Sequence, residues 1–116
     1  MEKNIDKILL YETYGKMLTK NMQDVFEQYY FSDLSLREIG ENNLVSFQAV
    51  RDTLKKAEKQ LLELEEKIGM LRLKKEILKL NEYVLSPNMD LEELKKRISK
   101  MGEWICLKVY LTNFKI

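Results

Sequence analysis

A run of polar and cationic side chains between residues 46 and 59 has the chemistry to bind a nucleic acid. The Gln48 amide can pair with adenine N6 and N7, and the Arg51 guanidinium can bind guanine or a phosphate. The Phe47 ring can contact a thymine methyl group. These residue types predict contacts to base edges, provided that one element carries all three into a groove.

Three cations follow these residues along the chain. Lys55, Lys56 and Lys59 can lie along a phosphate strand, where they would add affinity that is independent of base sequence. Simpler interpretations stay open, because lysines on a long helix usually form a solvated face and Phe47 can merely shield a turn. The predicted nucleic-acid-binding residues are Ser46, Phe47, Gln48, Arg51, Asp52, Lys55, Lys56 and Lys59.

A helix-turn-helix within residues 34–60 would position these side chains. Ser35 and Glu38 fit the S-x-x-E capping box, in which each side chain accepts a hydrogen bond from the other residue's backbone N–H. The apolar pair Leu44–Val45 is expected to plug the turn. Ser46 then caps the second helix. In such a motif the first turns of the second helix present side chains to the major groove.

The second helix of this motif is expected to be the longest in the chain, over about residues 46–84. Only Gly69 is a poor helix former in that stretch, which contains no proline. Val50, Leu54 and Ala57 recur at helical spacing, so we expect them to face the core. The residues proposed for nucleic-acid binding would then point outward.

The same helix carries an apolar seam beyond the predicted head. A small head cannot cover all of it, and an exposed apolar stripe favours association. Because helix-turn-helix proteins often dimerise to read two half-sites, we expect a homodimer. In the alternative, a helix over residues 90–101 folds back and covers the seam within one chain. The predicted dimer residues are Leu61, Leu64, Ile68 and Leu71.

The rest of the chain also has helical periodicity. We expect a first helix over residues 3–18, a second that begins after Thr19, and a short last helix over residues 90–101. Asp90 would cap the last one. The apolar tail over residues 102–116 fits either a continued helix or an extended segment. The pattern predicts an all-α protein of about five helices in one domain.

Composition argues against several classes of function. The chain has 20 basic and 19 acidic residues, no histidine and one cysteine, Cys106. It lacks the most common general base and metal ligand, and it contains no phosphate-binding or dinucleotide-binding glycine motif. We therefore expect no enzymatic activity, no cofactor and no metal. The single cysteine, and the lack of a signal peptide or membrane span, indicate a cytoplasmic protein.

Several of these segments resemble the YlxM family, over about residues 5–101. Members of that family are similar to region 4 of bacterial sigma factors and are encoded beside the genes of the signal recognition particle. The resemblance implies a sigma region 4-like head of three helices and a regulatory role in that pathway, without enzymatic activity. The segments that carry it are Leu18–Thr19, residues 27–30, residues 33–39 and residues 45–58.

The chain departs from the family pattern at three positions. Leu44 stands where the family usually has glycine, which alone adopts a positive φ cheaply, so the turn is strained or differently shaped. Phe47 replaces the usual arginine, which removes a contact to phosphate or base. Gly40 replaces the usual alanine.

Two functions from different classes remain. One is a DNA-binding regulator, favoured by Gln48, Arg51 and Lys55. The other is an interaction protein that binds a protein or RNA component of the signal recognition particle, favoured by Phe47 and the near-neutral net charge of +1. DNA binding is the preferred hypothesis.

Overall fold

The computed structural model describes the backbone of residues 5–114 and the side chains of residues 5–104. All regular elements in this range are helical, which confirms the predicted all-α class. The sequence indicated one domain; the helices group into two compact units, residues 1–64 and 65–116. A 3-10 turn (Gly15–Met17) separates the first two of six α-helices: α1 (Ile5–Tyr14), α2 (Lys20–Tyr30), α3 (Leu36–Asn43), α4 (Phe47–Ile68), α5 (Met70–Val84) and α6 (Leu91–Phe114).

The core of the first unit forms around Phe26, which is fully buried. Its ring stacks on Tyr11 and on Tyr30, in each case with ring centroids 4.3 Å apart. Aromatic pairs of this geometry add stability beyond the area that they bury. The predicted core side of α4 is confirmed by its buried residues, which are Val50, Leu54, Ala57 and Leu61.

A partly buried ion pair connects three helices of the first unit. The Lys7 ammonium on α1 lies 2.5 Å from the Glu58 carboxylate on α4. The Tyr30 hydroxyl on α2 donates to the same carboxylate at 3.0 Å. Burial, followed by the charge of Glu58, raises the pKa of Tyr30 above its usual range. This cluster fixes the middle of α4 and hence the orientation of its outer face.

Four helices begin at the caps that the sequence predicts. The capping residues are Thr19, Ser35, Ser46 and Asp90. Each side-chain oxygen accepts a hydrogen bond from the backbone N–H three residues later, at 3.1–3.2 Å. Glu38 completes the capping box by accepting from the Ser35 N–H. These bonds satisfy N–H groups that lack a partner within the helix.

The expectation of one continuous helix over residues 46–84 is wrong. The backbone leaves the helical conformation at Gly69, where φ is 74°. The Glu65 carboxylate then accepts hydrogen bonds from the backbone N–H groups of Leu71 and Arg72, both at 3.0 Å. The break is stable because glycine adopts a positive φ at little cost and Glu65 caps the first turn of α5.

The last helix is longer than the sequence indicated. It begins at Leu91 but continues to Phe114, so residues 102–114 extend the helix and are not an extended tail. With 24 residues it also exceeds α4, which has 22 and was expected to be the longest. Gly102 does not end it, because glycine lowers helix stability without blocking the backbone geometry. Residues 1–4 and 115–116 lie outside the described range.

Candidate nucleic-acid interface

The sequence from α3 to α4 forms a helix-turn-helix. The Val45 N–H donates to the Gly40 carbonyl at 2.9 Å, and the Leu44 N–H donates to the Glu41 carbonyl at 3.4 Å. This pair of bonds is the Schellman arrangement that ends many helices. It requires a left-handed residue at the bend, and Leu44 takes that conformation with φ 57° and ψ 42°. The turn is therefore strained at Leu44, which is one of the two outcomes expected from leucine at this position.

The prediction that Leu44 and Val45 plug the turn is wrong. Leu44 is 92% exposed, and Val45 is about half exposed. The interior side of the turn is closed by backbone instead: a Cβ at Gly40 would lie only 2.8 Å from the Val45 carbonyl oxygen. Since the two main-chain segments touch directly, no space is left there for an apolar side chain.

The start of α4 presents its polar residues away from the core. At about 100° per residue, Gln48, Lys55 and Lys59 fall within roughly 40° of one another, on the side opposite the buried stripe. Arg51 lies beside them. The structure brings the whole predicted set to the surface: Ser46, Phe47, Gln48, Arg51, Asp52, Lys55, Lys56 and Lys59 are all exposed. Ser46 is also used internally as the cap of α4.

The cations of this face are not neutralised by neighbours. Among the described residues, Arg51, Lys55, Lys56 and Lys59 have no acidic partner within ion-pair distance. Asp52 lies among them and forms no ion pair with any residue that the structure describes. One helical turn later the exposed residues Glu63 and Glu66 change the sign of the surface. The basic stretch is thus confined to the first half of α4.

Arg37 is a site residue that the sequence interpretation missed. Its guanidinium carbon lies 5.3 Å from the centre of the Phe47 ring, within the range of a cation–π contact. Phe47 is 39% exposed and so keeps part of its ring free. A cation on α3 therefore stands beside Phe47, the position where the family resemblance implies an arginine. Its place in the first turn of the capped helix α3 was the signal available in the sequence.

The four residues predicted to form a dimer interface differ in accessibility. Within one chain Leu61 is fully buried and Leu71 is nearly so, which removes both from an exposed seam. Leu64 is half-buried, and Ile68 is exposed. The expected seam therefore reduces to Leu64 and Ile68.

The part of the chain that the structure describes contains neither a metal-binding cluster nor a membrane-spanning helix. No cluster of three or more carboxylate, cysteine or histidine side chains there is arranged to hold a metal ion. Nor does any described helix combine the length and the apolar character needed to cross a membrane.

Relatives of this chain match it over part or nearly all of its length. A UPF0122 protein of Clostridium botulinum (strain Alaska E43 / Type E3) is 36% identical over 114 residues, which cover 97% of this chain and 99% of the relative. A UPF0122 protein of Thermoanaerobacter sp. (strain X514) is 47% identical over 70 residues. One from Desulforamulus reducens is 51% identical over 63 residues. The last two matches span 60% and 54% of the relatives' length.

A family model supports the same assignment over most of the chain. It matches residues 1–101, and its description reads "UPF0122: Putative helix-turn-helix protein, YlxM / p13 like". That description names a structural motif and no enzymatic activity. On the extent of this match and the near-complete coverage of the Clostridium relative, this chain belongs to the UPF0122 family of YlxM / p13-like helix-turn-helix proteins.

Proposed function

We propose that this protein is a DNA-binding regulator that inserts the first turns of α4 into the major groove. The observation that carries the proposal is the exposed and unneutralised basic face at the start of α4. In a DNA-binding helix-turn-helix, this segment is the one that meets base edges. In the proposal, Gln48 and Arg51 contact bases, while Lys55, Lys56 and Lys59 follow a phosphate strand.

In the proposal, Arg37 contacts the phosphate backbone of the DNA. The first helix of the motif crosses the phosphate backbone, and a cation on α3 is suited to that position. Its contact with Phe47 would hold the aromatic ring beside the groove, where the ring can pack on a thymine methyl group. This pair would partly replace the arginine that the family resemblance implies at the position of Phe47.

Titration against duplex DNA tests the proposal. Fluorescence anisotropy of random duplex and of the promoter of the protein's own gene, each at two salt concentrations, gives affinity and its salt dependence. Wild-type protein should bind random duplex with a Kd tighter than about 0.1 mM at low salt, as ordinary non-specific binding requires. An affinity weaker than this would remove DNA as the ligand.

Three variants test whether the outer face of α4 is the surface that binds DNA. Arg51→Ala should cost roughly 1–3 kcal/mol of binding to the specific site if Arg51 reads a base. Lys55→Ala should weaken binding to all sequences alike and reduce the salt dependence. Lys16→Ala is the matched control, because it removes an exposed lysine from the 3-10 turn. A loss in the control as large as that in Lys55→Ala would contradict the assignment.

A second candidate function is binding to a component of the signal recognition particle, protein or RNA. The observation in its favour is the apolar surface of the turn, formed by Leu44, Val45 and Phe47. Exposed apolar clusters often mark contacts with other proteins. The link to the signal recognition particle pathway rests on the family resemblance alone. Co-purification that survives deoxyribonuclease treatment and is lost in Leu44→Ser would favour this alternative over DNA.

We retain the homodimer as part of the proposal, now with Ile68 as its main contact. Ile68 is an exposed apolar residue on α4, and two copies of a helix-turn-helix can read two half-sites. Sedimentation at micromolar concentration should give about twice the monomer mass of 13.9 kDa. Ile68→Lys should then dissociate the dimer, since burying an unpaired charge is unfavourable. A monomer at all concentrations would refute this part.

A further inference from the structure

The second unit contains a cavity that is separate from the helix-turn-helix. It lies between α5 and α6, with a volume of about 420 Å³. This is within the size range of small-molecule sites, which begins near roughly 300 Å³. Its apolar lining comes from Leu80, Met101 and Trp104.

The charged lining of the cavity is unbalanced. Four cations, Arg72, Lys79, Arg97 and Lys100, face two carboxylates, Glu76 and Glu93. The carboxylates are already paired, Glu76 with Lys79 at 3.7 Å and Glu93 with Arg97 at 3.3 Å. Among the described residues, Arg72 and Lys100 have no acidic partner. The lining therefore carries two positive charges in excess.

The aromatic side chain of the cavity already makes a cation–π contact. The Arg72 guanidinium carbon lies 4.7 Å from the centre of the Trp104 ring. Such a contact holds the guanidinium in place while its N–H groups remain able to bind an anion. Planar bases stack on indole and guanidinium groups in the same way.

We infer that this cavity binds a nucleoside monophosphate. Its phosphate monoester carries a charge of roughly −1.5 to −2 at pH 7, which matches the two excess positive charges. Arg72 and Lys100 bind the phosphate oxygens. The nucleobase packs against Trp104 and the apolar side chains of Leu80 and Met101. A carboxylate or a phosphodiester, with one negative charge, would leave one of the two cations unneutralised.

Trp104 is the sole tryptophan of the sequence, so its fluorescence reports on this cavity in the full-length protein. The titrants are adenosine monophosphate, adenosine, inorganic phosphate and a dinucleotide with one internal phosphodiester. Adenosine monophosphate should saturate the fluorescence change at a lower concentration than the other three. An equal response to phosphate or to the dinucleotide would overturn the inference, as would no response up to about 10 mM, ten times a weak millimolar Kd.

Two variants test whether Arg72 and Lys100 bind the phosphate group. Arg72→Gln and Lys100→Gln should each weaken binding by about tenfold, the effect of one charge-assisted hydrogen bond. Lys96→Gln is the control, because it removes an exposed lysine of α6 that does not line this cavity. Circular dichroism verifies that the helices persist. If Lys100→Gln folds and binds as tightly as wild type, or if the control loses as much affinity, the site is wrongly assigned.

Discussion

Gly40 and Val45 contact each other through their main chains, and this contact forms the turn of the helix-turn-helix. The Val45 N–H donates to the Gly40 carbonyl at 2.9 Å, while the Val45 carbonyl oxygen would lie only 2.8 Å from a Cβ at residue 40. Glycine at position 40 thus allows the chain to pass from α3 to α4 without a side chain at the contact. The orientation of the basic face of α4 depends on this passage.

Gly40→Ala should destabilise the protein by roughly 1–3 kcal/mol, because the added methyl group meets backbone that cannot move aside easily. This loss exceeds the gain of about 1 kcal/mol in helix propensity. Urea denaturation measures the net change in the free energy of unfolding. The control is Gly102→Ala, whose Cβ would meet no atom within 4 Å and which should be neutral or stabilising. A Gly40→Ala variant as stable as wild type would show that the turn adapts readily.

Leu44→Gly should stabilise the protein by about 0.5–1 kcal/mol. A left-handed conformation costs an ordinary L-residue roughly 1–2 kcal/mol, part of which is offset by the greater unfolded-state entropy of glycine. Little hydrophobic burial is lost, because the Leu44 side chain is almost fully exposed. The neighbouring Val45→Gly, at a residue without positive φ, should destabilise. A lower urea midpoint in Leu44→Gly as well would contradict strain at this position.

Much of the fold was predictable from local chemistry. Ser35, Ser46 and Asp90 act as caps because their side-chain oxygens satisfy N–H groups within the next turn, and such contacts depend on short sequence separation. The core side of α4 follows from its periodicity. The exposed positions of the basic residues follow from the same periodicity, so the candidate site was predictable as a set.

The remaining features depend on contacts that periodicity does not encode. A single glycine is tolerated in many helices, and Gly69 breaks this one because Glu65, four residues earlier, caps the following turn. The burial of Leu61 and Leu71 depends on which helices pack against them, and the apolar seam alone does not specify that. Arg37 and Phe47 are ten residues apart in sequence. The bend of the turn brings them into contact.

Glu65→Ala should destabilise the second unit by about 1 kcal/mol, the usual cost of a lost N-terminal cap. The variant leaves the N–H groups of Leu71 and Arg72 without their carboxylate partner. Hydrogen exchange resolved by residue is the appropriate measurement, and the first turn of α5 should exchange faster. Glu63→Ala, at an exposed glutamate two residues earlier on α4, serves as the control and should leave the first turn of α5 unchanged. Equal protection in Glu65→Ala and wild type would exclude the capping role.

Stability should decline at alkaline pH, in part through Tyr30. Burial and the charge of Glu58 raise the pKa of Tyr30 in the folded protein above its value of about 10 in unfolded chains. The folded state therefore holds the proton more tightly, so the stabilisation is complete below about pH 10 and is lost as the pH rises further. Tyr30→Phe should make the decline above pH 10 shallower. A slope of unfolding free energy against pH identical to that of wild type would contradict this origin.

The central claim is that the outer face of α4 binds DNA, and backbone amide shifts on addition of duplex DNA test it most directly. We predict that the largest perturbations, at low salt, occur between Ser46 and Lys59, with a second group near Arg37 at the start of α3. Perturbations centred instead on the acidic positions Glu63 or Glu92, or their absence at a duplex concentration of about 0.1 mM, would contradict the claim.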